Sequence, residues 1–384
     1  MVDCHTDDDL APLRDPRFSE PLKKLEELMS QSNRAFLLGA GCSKCAGLPL
    51  MEELTNEVQK KLVEGSKPKQ ILNYVAQGFA GAKTANIEDY MSEIVDLLAI
   101  AERRVNRGAK NSEIRIDKDV FQVDELRQAL HDIKNIIAVL IDTSVDIAAH
   151  RKFIKAVHGT LRAGKSISSK PVDYIILNYD NLIEDALAIE RLPYTDGFSG
   201  GVTGWWDSSL LAGNAVIARV LKVHGSIDWC SLDDDTLPRR IRPAISLIQP
   251  VGKVLIWPAV TKYLETQRDP YAQIMNYLRG SLRPTAHAQI VLIICGYGFG
   301  DAHINIEIDR ALHEADGNLT LLVFTSLDQP EGQLASWLDN PAVREEVRIH
   351  AKRGFYHGQN ALRSDVDLPW WKFETLTRLL GGER

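Results

Sequence analysis

Residues Phe36–Pro49 read FLLGAGCSKCAGLP, and this stretch decides the fold. Ala35–Leu38 is a short apolar run that passes straight into Gly39, Gly41 and Gly47. After Pro49 comes LMEELTNEVQKKLVEG, where Met51, Leu54, Val58 and Leu62 recur at helical spacing and Gly65 supplies a stop. Strand, glycine turn, helix is the opening of a nucleotide-binding α/β unit. Glycines let the backbone approach a pyrophosphate closely, and a helix N-terminus offers N–H groups and the positive end of a dipole. A tight turn that binds nothing would use the same glycines. The spacing is neither the dehydrogenase GxGxxG nor a GK[ST] P-loop. The embedded Cys42 and Cys45 admit two readings: half of a metal or redox site, or small side chains packing the turn. A closed zinc site needs four ligands, and the remaining cysteines form no second CxxC, so packing is expected and no metal is expected.

Outward from this loop, Val172–Leu177, Val216–Val223, Val254–Trp257, Ile290–Cys295 and Leu319–Phe324 are candidate strands. Continuous apolar runs suit parallel strands covered on both faces. With helical patterns between them they predict an α/β fold, a Rossmann-like, doubly wound and mostly parallel sheet. Residues 84–164 differ in character. Tyr90, Ile94, Leu97, Leu98 and Ala101 mark one amphipathic helix; Leu126, Leu130, Ile133, Ile137 and Leu140 mark another, running to residue 148. The expected division is a flexible acidic arm (1–17), a Rossmann domain (18–83 and 165–330), an all-helical insertion (84–164) and a less regular C-terminal extension (331–384).

Bulk properties narrow the function. The 384 residues exceed what one compact core usually holds. A net charge of −7 lacks the basic footprint of a protein that wraps nucleic acid, so no direct nucleic-acid binding is expected. The acidic N-terminus has no apolar segment typical of a signal peptide. No apolar run reaches the roughly 18 residues of a membrane span. Five scattered cysteines suit a reducing compartment, and a cytoplasmic location is expected.

Three further segments carry polar residues at strand ends, the edge where open α/β sheets bind ligands. Asn178-Tyr179-Asp180 closes VDYIIL; Asn178 is a ligand candidate, while Asp180 and Asn181 are also natural helix caps, Asn181 with Glu184 as a capping box. His224-Gly225-Ser226 follows the next strand, and an imidazole has the near-neutral pKa of a general base. In IVLIICGYGFGDAHINIEI, Gly296, Gly298 and Gly300 leave room for a ribose, Asp301 is a natural N-cap, and His303 falls in the first helical turn.

In order, GAGCSKCAGLP, LNYDNLIEDAL, KVHGSIDW and ICGYGFGDAHIN resemble the sirtuin-like NAD-consuming family, nearest to its bacterial antiphage-defence branch. Trp257-Pro258 with Lys262 and Tyr263 resembles a further Pro…Lys segment of that branch. The resemblance implies NAD as substrate. It places Gly39, Ala40, Gly41 and Ser43 at the NAD phosphates, and Asn178 and Asp180 near the nicotinamide ribose. It puts His224 in the general-base position, and Gly296, Tyr297 and Phe299 in the adenosine-ribose segment. Deacetylating sirtuins continue the glycine loop with a P-D-F-R type sequence and carry a four-cysteine zinc module. Here Pro49-Leu50-Met51-Glu52 stands instead, and the module is lacking. Both departures favour an NAD glycohydrolase that depletes cellular NAD. A silent NAD-binding assembly subunit and a deacylase or ADP-ribosyltransferase remain alternatives. No sensor domain is visible, which suggests a separate trigger; the resemblance to stand-alone members of the branch implies a homo-oligomer partnered by a HerA-type hexameric DNA-translocating ATPase. Two more features are open. Thr195–Ser209, glycine-rich with paired tryptophans, is a lid or a long connection; the aromatics of Leu368–Leu380 are docked or form an interface.

Overall fold

The computed structural model describes residues 10–30, 33–81, 85–111, 113–116, 119–159, 171–201, 203–213, 215–232, 235–240, 252–255, 269–284 and 288–383. Among them, nine strands form the main sheet. They are β1 (Arg34–Leu38), β2 (Val172–Ile176), β3 (Tyr194–Thr195), β4 (Ala218–Lys222), β5 (Ile290–Cys295), β6 (Leu319–Thr325), β7 (Val347–Ala351), β8 (Gly354–His357) and β9 (Asn360–Arg363). Their spatial order is β9-β8-β7-β6-β5-β1-β2-β4-β3. Pairing is parallel from β7 through to β3, and antiparallel only at β7–β8 and β8–β9. From β1 the chain steps outward through β2 to β4. It then returns to the other side of β1 for β5, β6 and β7. This is the doubly wound order, with its reversal between β1 and β5, where such sheets open a ligand crevice. The α/β, Rossmann-like, mostly parallel architecture read from the sequence is the one observed.

The reason lies in the strands. Every residue of β2, β5 and β6 is buried, so both faces need cover. Alternate side chains feed two separate cores. Leu37, Ile175, Leu221, Leu292 and Val323 face the helices α8 (Tyr271–Ser281), α9 (Ala302–Glu314) and α10 (Gln333–Asp339). Phe36, Tyr174, Val220, Ile293 and Phe324 face α1 (Ser19–Met29), α6 (Ala148–His158), α7 (Leu182–Ile189) and α11 (Phe373–Leu380). On that second face Phe36 stacks on Tyr174 at 5.5 Å and meets Phe153 edge-on at 5.2 Å. Each such buried aromatic contributes about 1.5–3 kcal/mol.

A third core belongs to a helical layer. It joins α2 (Met51–Lys61), α3 (Lys67–Gly78), α4 (Ile87–Asn106) and α5 (Val123–Ile141) through Val58, Leu72, Ile94, Leu126 and Ile133. The layer therefore begins at α2, not at residue 84, and α5 stops at Ile141, short of residue 148. Helix α6, expected within the insertion, packs on the sheet instead. Charged capping explains the sharp starts: Asn86 caps α4 reciprocally with Asp89. No helix among the described residues is long and apolar enough to cross a membrane.

Three further expectations are corrected. Within the stretch read as a flexible arm, Leu10 and Leu13 are buried; residues 1–9 lie outside the described ones. The C-terminal stretch is regular: β7, β8 and β9 continue the main sheet beyond residue 330. Among the described residues a second, five-stranded sheet was not anticipated; its strand Gly252–Leu255, which pairs antiparallel, overlaps the candidate strand Val254–Trp257 at residues 254–255. Its hairpin, Phe198–Ser199 with Gly204–Trp206, is the stretch read as a lid or long connection. Trp206 is buried against Phe198 and Trp229, and a Cβ on Gly197 would lie 2.3 Å from the Trp206 ring. Gly197 makes room for an anchored tryptophan. The C-terminal aromatics are docked: Trp370 is fully buried, donates Nε1–H to the Ala351 carbonyl at 2.7 Å, and meets Phe18 edge-on.

Candidate functional site

The turns after β1 and β5 lie against each other at the reversal point. Gly39 N–H donates to the Cys295 carbonyl at 3.0 Å, and Gly41 N–H donates to the Gly296 carbonyl at 2.9 Å. A Cβ on Gly39 would fall 2.5 Å from the Gly296 oxygen, and one on Gly296 would fall 2.5 Å from the Cys42 nitrogen. Gly296 also has φ +67°, a region that favours glycine. These glycines are thus explained first by backbone meeting backbone. The loop's amides are largely committed: Cys42 N–H bonds Gly39 O and Ser43 N–H bonds Ala40 O, in 3-10 turns. The helix α2 starts only at Met51, and its apolar face belongs to the helical layer. The loop is not a P-loop-like nest of unsatisfied N–H groups. What Ala40 and Gly41 offer a ligand is a small, exposed surface.

Behind that surface sits a polar bracket. Asn178, one step past β2, donates its side-chain amide to Gly39 O at 3.0 Å and to Ser43 Oγ at 2.7 Å. Ser43 Oγ donates to Asp180 Oδ2 at 2.6 Å. Asp180 Oδ1 accepts the Leu182 N–H at 3.2 Å, so Asp180 rather than Asn181 caps α7. Asn181 accepts from Ser226 Oγ at 2.7 Å instead, and Glu184 forms no capping box with it. Ser43, expected at the phosphates, is buried with its hydroxyl engaged on both sides; it positions the loop.

Below the bracket, the fully buried Lys222 ammonium donates to the Asp180 carbonyl and pairs with Glu184 at 3.6 Å. Burial raises the Glu184 carboxyl to about 7, against the opposing pull of Lys222. The Tyr179 side chain points the other way, into the helical layer, where its hydroxyl donates to Glu88 Oε1 at 3.3 Å. Strand end and helical layer are therefore joined at the middle residue of Asn178-Tyr179-Asp180.

His224 follows β4 and is buried. Its Nδ1–H donates to the Leu177 carbonyl at 3.1 Å, which leaves Nε2 as the lone-pair nitrogen. That Nε2 lies 3.4 Å from His303 Nε2 and 3.9 Å from Asp301 Oδ1, both at the start of α9. Asp301 occupies the N-cap position of α9 but makes no side-chain cap bond. Gly225, with φ +84°, turns the chain away directly after the imidazole.

Tyr297 is buried and closes the glycine-rich turn: its hydroxyl bonds Asn305 Oδ1 at 3.0 Å and accepts the Asp301 N–H at 3.1 Å. Phe299 sits at φ +58°, half-buried, edge-on to Trp337 at 5.8 Å. Gly298 and Gly300 border open space. Cys42 is buried with its thiol 3.2 Å from the Cys295 carbonyl, and burial pushes its pKa well up. Cys45 is pushed up to about 12, chiefly by burial. Both stay thiols at neutral pH and pack the turn.

The structure thus brings Gly39, Ala40, Gly41, Ser43, Asn178, Asp180, His224 and Gly296 to one edge of the sheet, the carboxyl ends of β1, β2, β4 and β5. Tyr297 and Phe299 shape the adjoining turn. Sequence reasoning underweighted His303 and Asp301. The D-x-H spacing directly after a glycine turn was the available signal. The Trp257–Tyr263 segment lies outside the described residues.

Comparison with known proteins adds a partial family likeness. No curated protein matches the chain. Among solved structures, a histidine-to-asparagine mutant of a Sir2 homologue in complex with ADP-ribose aligns over 93% of this chain and 94% of its own, at 11% identity and a TM-score of 0.38. A sirtuin structure concerned with the basis of sirtuin substrate affinity aligns over 78% of this chain and 85% of its own, at 10% identity and a TM-score of 0.34. The family model of the SIR2-like domain matches residues 172–345. From β2 to just before β7, this chain is similar to the SIR2-like domain.

Proposed function

We propose that this protein binds NAD at the carboxyl edge of its main sheet and hydrolyses the nicotinamide–ribose bond. The observation that carries the reading is the setting of His224. Its Nδ1–H is held by Leu177 O, and its Nε2 is turned to the start of α9, within the stretch similar to the SIR2-like domain.

The chemistry asks little of the protein beyond orientation and one proton transfer. Nicotinamide in NAD is a cationic leaving group, so cleavage needs little acid assistance and passes through an oxocarbenium-like state. Water attacks the anomeric carbon. The C–N bond breaks with its electron pair going to the ring nitrogen, and His224 Nε2 takes the water proton. Such general-base help contributes about 10²–10⁴-fold. Both Asn178 donors are spent on Gly39 and Ser43, so toward a ribose hydroxyl or the water Asn178 presents its amide oxygen. Asp180 acts through Ser43 as a positioning residue. Ala40 and Gly41 give the diphosphate a close, small-residue surface, with Gly296, Gly298 and Gly300 on the ribose side.

The same reading extends to biology: NAD depletion in antiphage defence, with a HerA-type ATPase as the activating partner of an oligomer. Nicotinamide release from NAD, by this protein alone and with that ATPase, tests both layers. Release that His224→Ala abolishes supports hydrolysis. NAD binding without release in either condition identifies a silent binding subunit.

A further inference from the structure

Two imidazoles and a carboxylate meet where β4 ends and α9 begins. His224 Nε2 lies 3.4 Å from His303 Nε2 and 3.9 Å from Asp301 Oδ1, and one ligand atom from each residue falls within 4.8 Å of the other two. A zinc ion bonds imidazole nitrogen at about 2.0–2.1 Å, which sets tetrahedral ligand atoms roughly 3.3 Å apart. The histidine pair already has that separation.

The outer shell fits as well. A metal-ligating histidine usually gives its other N–H to a carbonyl or carboxylate, which fixes the tautomer. His224 does so through Nδ1 and Leu177 O at 3.1 Å. The site draws on the end of β4 and the start of α9, with Asp301 at the N-cap position and His303 in the first turn. His224 is buried while Asp301 and His303 are half-buried, so three protein ligands leave a further position on the open side. Two neutral imidazoles and one carboxylate suit zinc, cobalt or iron in the divalent state. Magnesium and calcium prefer all-oxygen sets.

We propose that His224, Asp301 and His303 form a binding site for a divalent transition-metal ion of the zinc type. The expectation of no metal rested on the cysteines alone, and this site uses none of them. It goes beyond the NAD reading and does not depend on it. In the metal-loaded form His224 Nε2 is a ligand; in the metal-free form the same nitrogen can take a proton.

The test uses the full chain, stripped with a chelator and titrated with Co²⁺. The expected result is visible d–d absorption that saturates at one equivalent and is displaced by Zn²⁺. His303→Ala and Asp301→Asn should each weaken binding by more than the roughly 10- to 100-fold that follows loss of an outer-shell partner. Thermal unfolding of each apo variant checks that it is folded, and either folded variant suffices. A Cys42→Ser/Cys45→Ser double variant should keep the bands. No bands in the parent protein, or bands that survive both α9 substitutions, overturn the proposal. The absorption readout is independent of NAD turnover, so failure here leaves the hydrolase reading standing, and failure of hydrolysis leaves the metal site standing.

Discussion

The side-chain amide of Asn178 donates to the Ser43 hydroxyl at 2.7 Å, and Ser43 donates onward to Asp180 Oδ2 at 2.6 Å. The end of β2 thereby fixes the turn after β1. Asn178→Asp removes the donors and sets a second carboxylate at the same hydroxyl. Ser43→Ala strips a buried carboxylate of one partner. Each should cost about 1–3 kcal/mol, the usual penalty for a buried polar group left unsatisfied. Urea unfolding measures it; stability within about 0.5 kcal/mol of the parent, the range of neutral surface changes, would count against the bracket.

The glycines of the two turns should separate cleanly. Gly296→Ala forces a Cβ to 2.5 Å from the Cys42 backbone at a positive φ. It should destabilise by about 2 kcal/mol or more. Gly298→Ala enters open space and should leave stability within about 0.5 kcal/mol. If Gly298→Ala keeps its melting temperature but loses NAD affinity, the ligand passes over that turn. Equal melting temperatures for the two variants would contradict the packing account.

Buried titratable groups give stability a pH dependence of definite sign. Burial lowers His158 to about 4 and His350 to about 3, from 6.5. Their stabilisation is full above pH 6.5 and is lost as pH falls through those values. Glu184 is raised from 4.5 to about 7, so its contribution is full below pH 4.5 and is lost as pH rises through 7. Between these limits His158 and His350 leave two extra imidazole protons on the unfolded chain and Glu184 one extra carboxyl proton on the folded chain. For these three groups the difference is one proton, or about 1 kcal/mol of added stability per pH unit from about pH 5 to 6.5, and His150, also lowered by burial, acts in the same direction as the other two imidazoles. Glu184→Gln removes the opposing group and should steepen that slope. Denaturant midpoints across this range that fall with rising pH would refute the assignment.

The thiols of Cys42 and Cys45 should be slow to react. Both are held above their ordinary range by burial. In the native protein, aromatic-disulfide labelling at neutral pH should proceed no faster than global unfolding for Cys42, and Cys42→Ser/Cys45→Ser should keep NAD turnover. Rapid labelling of Cys42 would mean a more open turn.

The sheet was legible because β5 is an unbroken apolar run and β2 and β6 are nearly so, interrupted only by Asp173 and by Thr320 and Thr325, a pattern that suits a doubly covered strand. The strand-end positions of Asn178, His224 and Gly296 followed from the same pattern. What escaped was set by tertiary contact. Strands β7 to β9 alternate with polar residues at an edge, and β9 has no buried residue to announce it. The second sheet rests on short hairpins, beside which Gly197 makes room for Trp206. Helix α2 reads as the nucleotide-unit helix by spacing, yet its partners are α4 and α5. Asp180 and Asn181 exchange the expected capping role because Ser226, 45 residues later, claims Asn181. No local pattern carries that information. The approach of His303 to His224, 79 positions apart, is of the same kind.

The central claim is that His224 is the base of an NAD-cleaving site, and nicotinamide release by the parent protein and by His224→Ala, side by side at saturating NAD, tests it most directly. The account predicts release by the parent and a fall of about 10²-fold or more in the variant, with its fold intact by circular dichroism. Turnover by His224→Ala within a few-fold of the parent would contradict it.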